Sequence, residues 1–265
     1  MGNEQSIAGQ DVLESPKPVI HKIGVADLKD VLVKGLADFN AMPTHLVFFA
    51  LIYPIVTIIF ARTAAGYDVL PLIFPLLAGY TLIGPVVAVG MYELSRRREL
   101  GLDISRMKAF HVLRRPAIRP ISVLGLLLMV IYLAWLLVAM SLWEKNFGTA
   151  APESIGAFAT QVFLTAAGWE LIIVGTGVGF LFAVVVFTVS VVSFPMLLDR
   201  DVGLTTAVVT SFRAVLANPV IMALWGLIVA YIMLIASLPF FIGLGVALPV
   251  LGHATWHLYR KVVEL

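Results

Sequence analysis

The sequence predicts an all-α polytopic membrane protein. Six transmembrane helices form three hairpins, each preceded by a cytoplasmic amphipathic helix, with the N- and C-termini both cytoplasmic. Three observations predict it. The 265 residues are 60% hydrophobic and 13% charged, with a mean hydropathy of +1.00, whereas a soluble domain is about half apolar and about a quarter charged. Six stretches, about 45–65, 69–94, 121–143, 169–197, 219–240 and 243–261, approach the roughly 20 apolar residues that cross a hydrocarbon core. The basic residues are divided unevenly between the two faces. Sixteen fall in segments on one side: Lys17, Lys22, Lys29 and Lys34 before the first span, eight in loop 95–120, Arg200 and Arg213 in loop 198–218, and Arg260 and Lys261 at the end. Only Arg62 and Lys145 fall on the other. The positive-inside rule places the basic side, and with it both termini, in the cytoplasm.

Taken in order, residues 1–22 are polar and mixed in charge, with no short apolar run close behind, and read as a disordered cytoplasmic tail rather than a signal peptide. Residues 23–265 form a single transmembrane domain. In 27–39, Leu28, Val31, Leu32 and Leu36 alternate with Lys29, Asp30, Lys34 and Asp38 at helical spacing, the pattern of a helix lying in the headgroup plane. That segment belongs to a repeated plan. "GVADLKDVLVKGLADFNAMP" (24–43), "GLDISRMKAFHVLRRPAIRP" (101–120) and "GLTTAVVTSFRAVLANP" (203–219) each run from a glycine through an amphipathic stretch to a proline that opens a span. Proline costs no hydrogen bond in a first helical turn and biases its predecessor out of the helix, so it marks a corner.

The apolar run from 155 to 198 is about twice the length that a bilayer core accepts as one helix. It divides into an outer-surface helix over 153–167, ending near Gly168, and a span starting at Trp169. Glu170 then lies near the outer interface. "GTGVG" (175–179) suits close helix packing inside that span.

The second span ends in "GPVVAVGMYELSRRRELG" (84–101), carrying Glu93 and three arginines toward the cytoplasm. Arg96, Arg97 and Arg98, with Arg114 and Arg115, read as an anchor to anionic phospholipid headgroups or as a dock for an acidic partner. The last span ends in "GHATWHLYR" (252–260). Trp256 and Tyr259 fit an aromatic belt, and Arg260 with Lys261 a cytoplasmic anchor. His253 and His257, one turn apart, are expected to face the bundle and hydrogen-bond its neighbours, with Asn218 and Ser193 as candidate partners.

Those blocks, with "SFPMLLDRDVGL" (193–204), "TSFRAVLANPVIMALWG" (210–226) and "LPVLGHATWHLYR" (248–260), resemble domain-of-unknown-function family 2189, predicted bacterial integral membrane proteins. The resemblance covers roughly residues 25–262. It implies a multi-pass protein of the bacterial inner membrane and no established activity. Some members carry the label putative cytochrome c oxidase subunit I, and the sequence argues against that role. A haem–copper subunit needs about half a dozen intramembrane histidines to ligate two haems and a copper. This chain has five histidines in all, and His21, His45 and His111 lie outside the spans.

The absence of cysteine excludes disulfides, thiolate nucleophiles and iron–sulfur ligation. No nucleophile–base pair, phosphate loop or dinucleotide fingerprint is present, and nothing points to nucleic acid. The expected function is therefore non-enzymatic and cofactor-free: an accessory, assembly or scaffold protein, associated with a respiratory complex such as cytochrome c oxidase or with copies of itself. A small transporter or channel with a site between hairpins, lined by Glu170, Tyr53 or His253, is the alternative. A haem- or metal-binding redox protein using His253 and His257 comes third.

Overall fold

A computed structural model describes residues 18–42, 44, 67–78, 80–104, 115–239 and 241–264, with isolated positions between 53 and 62. The expected first span, 45–65, falls largely outside the described residues, as does half of the second amphipathic segment and, with it, Arg114. The described chain is all-α apart from one two-stranded ribbon. Its helices are α1 (Val25–Ala41), α2 (Ile73–Ala78), α3 (Tyr80–Glu99), α4 (Ile118–Phe147), α5 (Ile155–Leu164), α6 (Ala166–Ser190), α7 (Ser193–Asp199), α8 (Leu204–Ala217), α9 (Pro219–Ser237) and α10 (Leu244–Val262).

Among the described residues, three helices are long and apolar enough to cross a membrane: α4, the continuous pair α6–α7, and α9. Their side chains are mostly exposed, including Leu126, Leu137, Phe180, Leu181, Leu227 and Tyr231. A water-soluble fold could not leave three such helices uncovered. The stretch expected as one span over 69–94 opens on a tighter turn. A 3-10 turn, Tyr67–Leu72, precedes α2 and α3, because Pro71 and Pro75 each lack the N–H that a continuous helix would use.

Helix α10 matches the expected last span in its bounds, yet it is buried on nearly every side, and its second half carries His253, His257, Arg260 and Lys261. The core lies at that end. The stretch 88–95 of α3, nearly all of α7, the C-terminal half of α10 and the inward face of α1 supply most of its fully buried side chains.

Three corners fix this arrangement. Thr165 ends α5 and caps α6, its Oγ1 accepting from the Gly168 N–H at 2.9 Å. A Cβ on Gly168 would stand 2.2 Å from the Val162 carbonyl oxygen, so the corner needs glycine. The break thus falls at Thr165, three residues before the position read from the sequence. Between α6 and α7 the backbone turns at Val191–Val192, and Ser211 of α8 closes the joint, accepting from the Val192 N–H and donating to the Thr188 carbonyl. At the third corner Pro219 is the first residue of α9.

Residues 18–22 lie within the expected disordered tail but are held in place. Strand β1 (Val19–Ile20) pairs antiparallel with β2 (Val263–Glu264), bringing the two ends of the described chain side by side. Asn218 secures the same segment by accepting from the Ile23 N–H and donating to the His21 carbonyl, both at 3.0 Å.

Candidate functional site

Helix α1 does not present its apolar stripe to headgroups as the sequence pattern suggested. It lies antiparallel along α10, with Asp27 beside Lys261 at one end and Asp38 beside His257 at the other. The buried residues, Leu28, Val31, Gly35 and Asp38, follow one another at spacings of three and four, a single helical face. Gly35 sets the distance between the two backbones: a Cβ there would stand 2.7 Å from the Ala254 nitrogen and 2.8 Å from the Val250 carbonyl oxygen. Asp38 belongs to this face, not to the polar one.

Asp38, only 4% exposed, is the hub of a polar cluster joining α1, α3 and α10. Its Oδ2 accepts from Ser95 Oγ at 2.5 Å and from His257 Nε2 at 2.9 Å, and its Oδ1 accepts from Arg98 at 2.5 Å. Ser95 has one hydroxyl proton, and Asp38 takes it. The 2.7 Å contact between Ser95 Oγ and His253 Nδ1 therefore has the histidine as donor, which assigns the Nδ1–H form. His253 is fully buried. His257 reaches in the other direction to Glu99, at 3.5 Å, and Arg260 reaches the same Glu99 at 3.4 Å.

Burial alone would push the Asp38 carboxyl up. The hydrogen bonds from His257, Ser95 and Arg98 outweigh it and hold Asp38 down at about 2. At Glu99 burial likewise opposes ionisation, and His257 with Arg260 lowers the carboxyl nonetheless. At the far end of α1, Asp27 is lowered chiefly by its hydrogen bond from Lys261 and next by the Gly24 N–H.

A second cluster continues the first. Glu93, 2% exposed, receives Arg115 at 3.0 Å and has Arg96 and Arg97 at 3.6 and 3.7 Å. Arg96 also approaches Asp199 at 3.4 Å, while Tyr259 donates to Asp199 at 3.0 Å and Arg260 lies 3.5 Å away. Asp199 ends α7, so the network extends across α1, α3, α7 and α10. A buried carboxylate is tolerable only when paired and hydrogen-bonded, and here each one meets cations or donors from other elements.

The sequence-derived candidates are placed as follows. Arg96, Arg97, Arg98, Arg115 and Arg260 all engage carboxylates of the protein itself. Trp256, expected in an aromatic belt, is fully buried and packs its ring 5.6 Å from that of Tyr259. His253 is paired with Ser95 and Asp38, not with Asn218 or Ser193. Asn218 holds the N-terminal segment, and Ser193 donates to the Val189 and Ala207 carbonyls. Glu170 is exposed at the opposite end of the molecule and pairs with Lys145 at 3.0 Å. Asp38, Ser95 and Glu99 were missed as site residues. The signal for Asp38 was its place on the stripe of Leu28, Val31 and Gly35. Ser95 and Glu99 join the cluster only through the packing of α3 on α10.

The cluster opens on one side into a cleft of about 390 Å³, lined by Lys34, Ala37, Asp38, Ser95, Arg98, Glu99 and His257. His253 and His257 project from one helix and each has a partner within the chain, so they do not face each other across a space for a haem. Among the described residues, no three His, Asp or Glu side chains are arranged to hold a metal ion.

No curated protein and no solved structure is detectably similar to the chain. A family model does match, over residues 73–199, which run from α2 to the end of α7 and hold the Glu93, Ser95, Glu99, Arg115 and Asp199 portion of the network. With three helices fit to cross a membrane among the described residues, that segment is similar to the family described as predicted integral membrane protein (DUF2189).

Proposed function

We propose that this is a non-enzymatic protein of the bacterial inner membrane that serves as an accessory, assembly or scaffold factor, with its two ends and its charged network on the cytoplasmic side. One observation carries the reading. The buried carboxylates of the network are closed by cations and donors of the chain itself, while the faces of α4, α6 and α9 are left apolar and exposed. Chemistry is drawn inward and locked; surface for lipid and membrane partners is turned outward. The division of sixteen cations against two supports the orientation, as does the pairing of β1 with β2, which requires both ends on one side. A respiratory oxidase is the proposed partner, and only the label that goes with the family resemblance motivates it.

The test is a strain lacking the protein, with membranes resolved on native gels. Fully assembled cytochrome c oxidase falls in that strain, and in the parent strain the protein co-migrates with the oxidase or its intermediates. Unchanged oxidase and a protein migrating alone would sink this reading. The cleft at Asp38 favours a transporter as the second reading. Proton-driven uptake by proteoliposomes that is lost in Asp38→Asn would place it first.

A further inference from the structure

Helix α8 is built inside out for a protein in water. Its buried face is small or hydroxylated, with Ala207, Thr210, Ser211 and Ala214 against α6 and α7. Its outward face holds the large apolar side chains: Val209 at 50%, Phe212 at 52% and Leu216 at 65% exposure. These residues follow at spacings of three and four, a single stripe. The stripe does not stop at the Pro219 corner. It runs on into Val220, 75% exposed, and then Leu227 and Tyr231 on the outward face of α9, one of the three helices long and apolar enough to cross a membrane. Arg213 and Leu216 border the N-terminal segment Pro18–Ile20, and beyond that edge the exposed face of α8 continues into that of α9. Arg213 sits on the same exposed side, a long cation able to lie along apolar surface with its head toward water.

We infer that α8, too short to span at 14 residues, lies at the acyl-chain boundary of the charged leaflet, with Phe212 and Leu216 in hydrocarbon and Arg213 at the phosphates. This rests on the membrane reading above and relocates the lipid contact. The arginines expected to anchor the protein, Arg96, Arg97 and Arg115, are occupied by Glu93, and the α8 stripe supplies the anchor instead.

The chain has no cysteine, so single-cysteine variants report one position each. Phe212→Cys and Leu216→Cys, labelled with a small fluorophore in vesicles of phosphatidylethanolamine and phosphatidylglycerol, are compared with Leu227→Cys on α9 and Asp201→Cys in the exposed loop. The expected result is loss of fluorescence to spin-labelled lipid at 212 and 216, as at 227, and protection from iodide, which quenches 201. Quenching by iodide at 212 and 216 while 227 stays lipid-quenched overturns the placement of α8 alone. Iodide quenching at 227 as well overturns the membrane reading and this proposal with it. Protection from both quenchers at 212 and 216 means that protein covers the stripe, a second copy or another segment of this chain, and overturns lipid as the occupant.

Discussion

Helices α1 and α8 occupy the same place in the sequence plan, each starting after a glycine, and each was read as a copy of one amphipathic unit. The structure makes them opposites. Helix α1 turns Leu28, Val31 and Gly35 inward and adds a carboxylate, Asp38, that ties three helices together. Helix α8 turns alanines and hydroxyls inward and leaves its large apolar side chains outside. A shared Gly-to-Pro plan fixes where a helix begins and where the chain turns a corner. It does not fix which face is buried, because that depends on the partner. Helix α1 meets a helix backbone at Gly35, where close approach leaves room for a buried ionic hub, while α8 meets a bent joint whose free N–H and C=O groups need hydroxyls.

The largest expected effect that separates the two is Asp38→Ala. It strips His257, Arg98 and Ser95 of their common acceptor and leaves buried charge unpaired, which costs about 3–5 kcal/mol. Unfolding of the detergent-solubilised protein, followed by circular dichroism, measures the loss, and limited proteolysis shows α1 released from α10. Wild-type resistance to both would mean that α1 is held by its apolar face alone.

Acid probes the same hub more gently. Asp38 is depressed from an ordinary carboxylate value to about 2. Its contribution is therefore fully present above the unfolded-state value near 4 and disappears as pH falls through about 2. Asp27 and Glu99 are lowered as well and act in the same direction. Protease access to α1 rises as pH falls below about 4. Access unchanged down to about pH 3 would place the hold on α1 outside these carboxylates.

A glycine pair tests the packing contrast. Gly35→Ala drives a methyl group into the Ala254 and Val250 backbone, an overpacking expected to cost about 1–3 kcal/mol. Gly177→Ala on α6 meets nothing within 4 Å, so the better helix propensity of alanine leaves stability equal or higher by up to about 1 kcal/mol. Equal losses at both sites would mean that a second surface packs on Gly177.

How legible this contrast was in the sequence follows from what each signal measures. Periodicity, proline and glycine placement and the length of apolar runs report on the chain itself, and they gave α1, the α5–α6 division to within three residues, the Pro219 corner and the bounds of α10 as a helix. Hydropathy reports on composition and gave α4, α6–α7 and α9. Neither sees which helix a face meets. Asp38 was therefore sorted with Lys29 and Lys34 as solvated charge, Trp256 was placed at an interface although it is buried, and His253 was offered Asn218 and Ser193 when Ser95 is its neighbour. The arginines of α3 show the same limit. A run of three between Glu93 and Glu99 reads as surplus charge along the sequence, yet Arg115 and Asp199, distant in the chain, complete the set around Glu93 and Arg96.

The histidine pair falls in the same range as Gly35→Ala. His253→Gln with His257→Gln removes two donors to the Ser95–Asp38 hub while Arg98 remains, so the loss is smaller than for Asp38→Ala, about 1.5–3 kcal/mol for hydrogen bonds to a charged group. Metal content of the purified protein, measured by mass spectrometry, stays unchanged. If metal or a chromophore left with the pair while the fold survived, a ligand role would replace the packing role.

The smallest effect belongs to α8, and it sharpens the comparison most. Ser211→Ala removes an acceptor from the Val192 N–H and a donor to the Thr188 carbonyl. Both the Val192 N–H and the Thr188 carbonyl lose their partner, but they stand four residues apart and can close the next helical hydrogen bond on each other, so the penalty is about 1 kcal/mol. That loss should not free α8 to protease, because the outward stripe of Val209, Phe212 and Leu216 keeps the helix in the bilayer without the joint. In detergent, where lipid order is lost, the same variant should open more readily than in vesicles. Asp38→Ala should open equally in both, since its hub is sealed by protein and not by lipid. A Ser211→Ala variant that opens equally in both media would place the hold on α8 in its buried face, and α1 and α8 would then be anchored by the same means after all.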